Sequence, residues 1–432
     1  MRMLFLRLAA AAGWLALSLA KGQGLSAREQ AMVRGIDAAA PRAIDLIEKL
    51  VNINSGSFNP AGVKAVAAVI EGELRGLGFE TRLIRMDALK RGPHLAAERK
   101  GSRPGKPLLL IGHMDTVFEP SRSFQRFIRN GAKATGPGVN DMKGGIAVMI
   151  SALRALHQAD LLEGKSINIF LTGDEEAPGD PVDAARRDLI EAGKNAKAAL
   201  CFESGRRISG SDYISTARRG FAGWELRVKG VAGHSGRIFT EDLGHGAIFE
   251  LSRVINLFHE QLREPNLTFS AGLVLGGSDI KAHTDGAASV SGKPNIIAAE
   301  ALARGDLRAL SPEQVSRVKD RMYGIAAKSL PGTKSELRFS EEYPPMAPTT
   351  GNKRLFASIN AASRLAGIPD AMELDPMERG AGDISFIAPY TDSLTGLGAI
   401  GGGSHADGEW IDLETLPRTI KRAAVAIHSL TH

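Results

Sequence analysis

Pro107-Leu-Leu-Leu-Ile-Gly-His-Met-Asp115 is the stretch that decides the fold: an unbroken apolar run, Pro107–Ile111, passes through a glycine into an imidazole and a carboxylate. A run that is continuous rather than alternating reads as a strand buried on both faces of a parallel sheet. Ile167–Leu171, Ala198–Phe202 and Leu394–Ile400 have the same character, and helical stretches such as Ile146–Leu156 lie between them. Parallel strands joined by crossover helices are therefore expected. Ahead of them, helical spacing runs from Ala38 to Val51 and from Ala61 to Leu77. In the second of these Ala67, Ile70, Leu74 and Leu77 share a face, and Gly78 stops the helix.

The pattern changes from about Ser215 to Tyr343. A strand with Trp224, Leu226 and Val228 facing one way is followed by a helix (Gly246–Leu262), two strands (Leu267–Leu275, Ile296–Leu307), a helix (Pro312–Leu330) and a strand (Glu336–Phe339). This β-α-β-β-α-β order predicts a small split βαβ domain inserted into the larger one. Pro331-Gly332 and Pro344-Pro345 mark turns near its far end. The expected division is a leader at 1–20, a large domain in two parts at 21–214 and 344–432, and the insert at 215–343.

The chain has 432 residues, 43% hydrophobic and 24% charged, which excludes disordered, collagenous and coiled-coil classes. Its 49 glycines and 5% aromatics favour tight turns and α/β packing over an aromatic-rich sandwich. Two of the charges behind the net +6, Arg2 and Arg7, fall in the leader, so the rest is only mildly basic and no nucleic-acid partner is implied. Residues 1–20 combine that basic start with an apolar run from Leu8 to Ala20 and small residues at Ser18 and Ala20, a secretory signal pattern. A membrane anchor would need about 18–20 apolar residues, and no later run is long enough to span a bilayer. Cys201, the single cysteine, cannot form an internal disulfide. A periplasmic or secreted protein, without a membrane partner once the leader is removed, is expected.

Chemistry-bearing residues follow the apolar runs. Leu171 leads into Gly173-Asp174-Glu175-Glu176 and Phe202 into Glu203, Asp141 follows the Gly136-Pro137-Gly138 loop, and His405 follows Gly401-Gly402-Gly403-Ser404. In an open parallel sheet ligands bind beyond the carboxyl ends of the strands, so these segments deliver two histidines and several carboxylates to one edge. Such an N/O donor set suits zinc, and manganese or cobalt less well. Six contacts from five residues imply two metals about 3.5–4 Å apart, with one carboxylate bridging. Of two adjacent glutamates, one can ligate while its neighbour takes a proton from water. Asp115 is placed to accept from the other N–H of the His113 imidazole and fix its tautomer.

The segments His-Met-Asp-Thr-Val at 113–117, Gly-Pro-Gly-Val-Asn-Asp-Met-Lys-Gly-Gly at 136–145, Thr-Gly-Asp-Glu-Glu at 172–176, Phe-Glu-Ser at 202–204, Ala-Gly-His-Ser-Gly at 232–236 and Gly-Ser-His-Ala-Asp at 403–407 resemble the di-zinc exopeptidase and aminoacylase superfamily, the glutamate carboxypeptidases in particular. The resemblance implies a large α/β zinc-exopeptidase domain of phosphorylase/hydrolase-like type, with an inserted α+β ferredoxin-like dimerisation domain. It implies two Zn2+ per chain, replaceable by Co2+ or Mn2+. His113 and Glu203 would hold one ion, Glu176 and His405 the other, with Asp141 bridging and Glu175 as general base. His234 would reach the partner subunit's site in a homodimer and stabilise the oxyanion. Asn295 and Arg308 match substrate-contacting positions, and Arg308 with the Gly380-Ala381-Gly382 backbone would hold the main-chain carboxylate. In this superfamily Glu at position 203 goes with carboxypeptidases and deacylases more than with aminopeptidases.

The implied activity is hydrolysis, by metal-activated water, of the amide bond next to the C-terminal amino acid of a small peptide or N-acyl amino acid. An N-acyl-amino-acid deacylase or a dipeptidase is the alternative of the same chemistry. A metal-bound periplasmic binding protein without turnover is the alternative of another class, and Glu175 speaks against it. Residues 136–145 lack the Gly-Lys-Ser/Thr of a phosphate loop, and neither Ser204 nor Ser235 sits in a Gly-x-Ser-x-Gly elbow. In one respect the chain departs from the glutamate-cleaving pattern, because Tyr343 stands where a carboxylate-binding arginine is expected. Unless Arg218, Arg219 or Arg379 compensates, substrates ending in apolar or aromatic residues should be cut at least as well as those ending in glutamate.

Overall fold

A computed structural model describes residues 24–102, 104–282 and 287–431; the leader expected at 1–20 lies outside the described residues. Six strands form one sheet in the order Glu80–Ile84, His94–Arg99, Ile167–Thr172, Leu108–His113, Ala198–Cys201, Ser393–Thr395. The last four are parallel, with Leu108 opposite both Ile167 and Ala198, and Ser393 opposite Ala199. Every residue of Leu108–His113 is buried, as its apolar run predicts. Helix Gly144–Gln158, buried from Gly144 to Leu156, packs against Ala27–Val51 and Leu416–Leu430 on one face of the sheet.

In the large unit the sequence reading and the structure differ in three places. Helix Ala27–Val51 starts well before Ala38, because Ser26 and Glu29 form a reciprocal cap: Ser26 Oγ accepts the Glu29 N–H at 3.3 Å and Glu29 Oε2 accepts the Ser26 N–H at 2.8 Å. Of the run Leu394–Ile400 only the start is strand. At Gly396 the backbone enters the left-handed region (φ +93°), and the chain turns off to give the Ala399 carbonyl to the Gly205 N–H. The strands Glu80–Ile84 and His94–Arg99 form an antiparallel hairpin on the Ile167–Thr172 edge. Glu80–Ile84 buries only its last residue, so its sequence carries little apolar signal.

A second, four-stranded antiparallel sheet runs Thr268–Gly277, Glu300–Arg308, Phe221–Gly230, Thr333–Tyr343. With helices Ala247–Gln261 and Pro312–Ala326 it has the expected β-α-β-β-α-β order. Trp224, Leu226 and Val228 point into its core against Val254 and Phe258, separate from the core of the large sheet. A hairpin of Asp279–Ala282 with Ala288–Ser291, unforeseen in the sequence, extends it. The chain is thus a mixed α/β molecule with an inserted α+β unit.

Helix Gly144–Gln158 lies so close to the sheet that a β-carbon on Gly145 would run into the Phe202 carbonyl. This approach sets the strand end that leads into Glu203. Gly145→Ala is expected to destabilise the protein by roughly 1–3 kcal/mol, the usual cost of overpacking. Chemical denaturation against wild type measures it, and an unchanged midpoint would show that the helix is free to move away.

Candidate active site

The loops that leave the parallel strands converge. His113 closes its strand with Nε2 3.2 Å from Asp141 Oδ1 and 3.7 Å from Glu203 Oε1. The other oxygen of Asp141 lies 3.4 Å from His405 Nε2, which is 3.1 Å from Glu176 Oε2. Asp141 therefore stands between two imidazoles. Donor atoms of His113, Asp141 and Glu176 lie within 4.8 Å of one another, as do those of His113, Glu175 and Glu203. All five expected ligands and Glu175 are brought together. Buried Glu176 Oε1 has no hydrogen-bond partner, an acceptor left for a cation. Neutral imidazole nitrogens and carboxylate oxygens at this spacing fit divalent zinc-type ions.

Two buried carboxylates shape this cluster from behind. Asp115 accepts the backbone N–H groups of Glu175 at 2.9 Å and Glu176 at 3.1 Å, and the Ser57 hydroxyl at 2.6 Å. Its carboxylate is 3.5 Å from His113 Nδ1, while its own carbonyl is closer, at 3.1 Å. The backbone therefore shares the tautomer-fixing role expected of the Asp115 side chain. Glu409 accepts from the backbone of Gly138, Asn140 and Asp141 at 3.2, 2.6 and 2.8 Å, which fixes the loop that presents Asp141. Farther back, Arg186 is fully buried and joins Asp174 to Asp383, each at 2.6 Å. Ser57, Glu409, Arg186 and Asp383 went unnoticed in the sequence. Each comes from a segment remote in the chain, and a lone acid, serine or arginine carries no spacing signal.

Burial pushes Glu175 well above the carboxylate range; His113 opposes this, and Glu203, Asp383 and Glu176 reinforce it. Burial also takes Glu176 up to about 7, against its hydrogen bond to His405. Burial acts on Asp141 in the same sense, but hydrogen bonds to His113 and His405 outweigh it and hold this carboxyl low. Hydrogen bonds to Asp141 and Glu176 raise His405 to about 11. Without a bound cation, then, the cluster is balanced by protons.

The remaining expected residues fall into two groups. Arg308 ends its strand with Nε 2.8 Å from Asp306 and its guanidinium over Phe221, and it lies against Gly380, whose added β-carbon would stand 3.3 Å from Nη1. Gly382 lies in the same loop. His234 and Asn295 are elsewhere and exposed: His234 ends the short strand Gly233–His234, and Asn295 lies in the turn before its partner Ile296–Ile297, where the Asn295 carbonyl accepts the Ser235 N–H. His234 Nδ1 accepts the Gly236 N–H, and within one chain its ring does not join the cluster. Tyr343 donates its hydroxyl to the Glu175 carbonyl at 3.2 Å and packs on Phe386. Of the three arginines weighed as replacements, Arg218 is committed to the Gly380 and Ala381 carbonyls, Arg219 to Thr268 and the Met377 carbonyl, and Arg379 to Ser204.

Residues 109–429 match the model of peptidase family M20/M25/M40, and the chain belongs to that family. It is 29% identical over 431 residues to Carboxypeptidase G2 of Pseudomonas sp. (strain RS-16), covering 98% of this chain and 97% of that protein. Succinyl-diaminopimelate desuccinylase of Gluconacetobacter diazotrophicus is 26% identical over 393 residues, 89% of this chain and 96% of that one. Among solved structures, aminopeptidase PepT of Bacillus cereus superposes with a TM-score of 0.72 at 19% identity, over 91% of this chain and 99% of that one. The metallo-carboxypeptidase Sso-CP2 of Sulfolobus solfataricus gives 0.64 at 16%, over 89% and 98%. Family and cluster together define a metallopeptidase-type hydrolase.

These proton affinities set a pH dependence. Glu176 and Glu409 reach about 7 in the folded chain, and Glu175 is raised too, whereas unfolded glutamates release their protons near 4.5. The folded state therefore holds more protons across that window, and stability falls as pH rises through it. The raised histidines act in the same sense, and Lys143, pushed down to about 7 by burial, acts only above it. Chelator-treated protein should melt at a lower temperature near pH 7 than near pH 5, and zinc should raise the melting point more at the higher pH. A flat or inverted profile in a thermal-shift assay would contradict this electrostatic account.

Proposed function

We propose that the chain is a two-zinc carboxypeptidase that hydrolyses the amide bond next to the free carboxylate of a small peptide or N-acyl amino acid. The observation that carries this reading is the placement of Glu175: its carboxyl is raised by burial beside the cluster, and its backbone is pinned by Asp115 and Tyr343. His113 and Glu203 would hold one zinc, Glu176 and His405 the other, with Asp141 between them; cobalt or manganese could substitute. When bound, the ions supply Lewis-acid polarisation of the scissile carbonyl and a water acidic enough to attack near neutral pH. Glu175 takes the proton of the attacking water and returns it to the amine that leaves, so one carboxyl serves both steps. Arg308 and the Gly380–Gly382 backbone hold the substrate's carboxylate.

The similarity to Carboxypeptidase G2 over nearly the whole chain supports the carboxypeptidase reading, and the engagement of Arg218, Arg219 and Arg379 with carbonyls and hydroxyls supports apolar or aromatic C-terminal residues. A deacylase acting on N-acyl amino acids is the second reading, favoured by relatives named Succinyl-diaminopimelate desuccinylase. Residues 215–343 act as the dimerisation domain in this proposal. Phe239, Ile248, Phe249 and Val274 are exposed there, and exposed His234 with Asn295 would complete the partner's site. The leader pattern at 1–20 supports export to the periplasm or beyond, and no helix among the described residues is long and apolar enough to cross a membrane.

Glu175→Gln keeps size and removes the base. Release of free amino acid from N-acyl substrates should fall by about 10²–10⁴-fold or more, while elemental analysis still finds about two zinc-type ions per chain. Near-full activity, or loss of the metal, would assign the proton transfer elsewhere. Mixing Glu175→Gln with His234→Ala subunits should restore part of the activity, because one mixed site regains both groups. No recovery despite demonstrated subunit exchange would confine His234 to its own subunit.

A further inference from the structure

Arg218 is 5% exposed, yet its side chain has no full carboxylate partner. Nε donates to the Gly380 carbonyl and Nη2 to the Ala381 carbonyl, each at 2.6 Å. Nη1 has no hydrogen-bond partner, lies 3.8 Å from Glu203 Oε1, and would stand 2.6 Å from a β-carbon on Gly382. A buried guanidinium that spends two arms on consecutive carbonyls costs more than a surface ion pair returns, so its placement calls for a reason.

The peptide geometry supplies one. In a planar trans peptide the C=O and the N–H of the next residue point in opposite directions. Pulling the Gly380 and Ala381 carbonyls onto one guanidinium therefore turns the N–H groups of Ala381 and Gly382 to the other side of the loop. Neither N–H has an acceptor among the described residues. Successive unspent N–H groups form a concavity for an anion, and Arg308 lies against the same loop at Gly380. A guanidinium holds the two carbonyls in the fixed geometry of a planar fork, whereas a lysine ammonium, a compact charge on a flexible stem with rotatable donors, does not fix their direction.

We propose that Arg218 is a positioning residue: by fixing the Gly380 and Ala381 carbonyls it aims the Ala381 and Gly382 N–H groups at the substrate's carboxylate, and through Nη1 it keeps that cradle in register with Glu203. This rests on the carboxypeptidase reading above and adds to it the device that makes a free carboxylate a requirement. Arg218 does not touch the reacting atoms. Its effect is discrimination between a substrate that ends in a carboxylate and one that does not.

The test compares N-acetylphenylalanine with its C-terminal primary amide, following acetate release by zinc-loaded wild type, Arg218→Met and Arg218→Lys. Wild type should favour the acid strongly. In Arg218→Met the kcat/KM for the acid should fall at least about tenfold, chiefly through KM, while the amide is little affected, so that the acid-to-amide ratio collapses with zinc content unchanged. Arg218→Lys keeps the charge beside Glu203 and should still lose most of the ratio; it also decides the matter if the methionine variant does not fold. A ratio unchanged in the variants, with both substrates slowed equally, would reduce Arg218 to a structural role and overturn the inference. A wild-type ratio near one would instead overturn the carboxypeptidase reading beneath it.

Discussion

The site depends on one buried carboxylate that stands behind the cluster, Asp115. Asp115 gathers the N–H groups of Glu175 and Glu176, the hydroxyl of Ser57 and the proximity of His113 around two oxygens. A carboxylate in a low-dielectric interior is tolerable only when its lone pairs are occupied, so each of these partners is obligatory. The consequence is geometric. The proposed base and a proposed ligand are adjacent in sequence, and their backbones are locked to the residue two places beyond another proposed ligand. Glu409 repeats the device on the loop that carries Asp141. Backbone donors are suited to this work, because they cannot rotate away as side chains can.

Around these anchors the electrostatics conflict by design. Glu175, Glu176 and Glu203 crowd buried His113 and the more exposed His405, and burial drives Glu175 and Glu176 towards their neutral forms. A divalent ion held there would resolve the conflict by replacing protons with charge that cannot leave by titration. The fold tolerates the crowding because the rigid sheet lies directly behind it, and because the Arg186–Asp174–Asp383 network stiffens the loops on the side of Glu175.

The sheet centre and the residues that gather at its edge were legible in the sequence for a common reason. Leu108–His113 is buried on both faces, so its residues had to be apolar, and the abrupt change to His113 and Asp115 marks where the strand ends. The insert was legible through alternation at Trp224, Leu226 and Val228. What escaped has little local signature. Glu80–Ile84 is a mostly exposed edge, and helix Ala27–Val51 announces its start only by a polar cap. Ser57, Glu409 and Arg218 act through contacts that only folding creates. Tyr343 was noticed as a departure, but its bond to the Glu175 carbonyl depends on how the insert meets the sheet.

Where the insert begins, the Arg218 N–H donates to the Met346 carbonyl at 2.9 Å, and the Met346 N–H returns to the Arg218 carbonyl at 3.0 Å. The exit of the insert is thus a bonded neighbour of its entrance, about 5.5 Å away across a hydrogen-bonded antiparallel pair. The large unit is continuous in space although it is interrupted in sequence. Removing everything between those two residues would leave ends that a short linker could rejoin without stretching the chain. An insertion so joined leaves the host topology undisturbed, so the sheet beneath it can form whether or not the appended unit has folded.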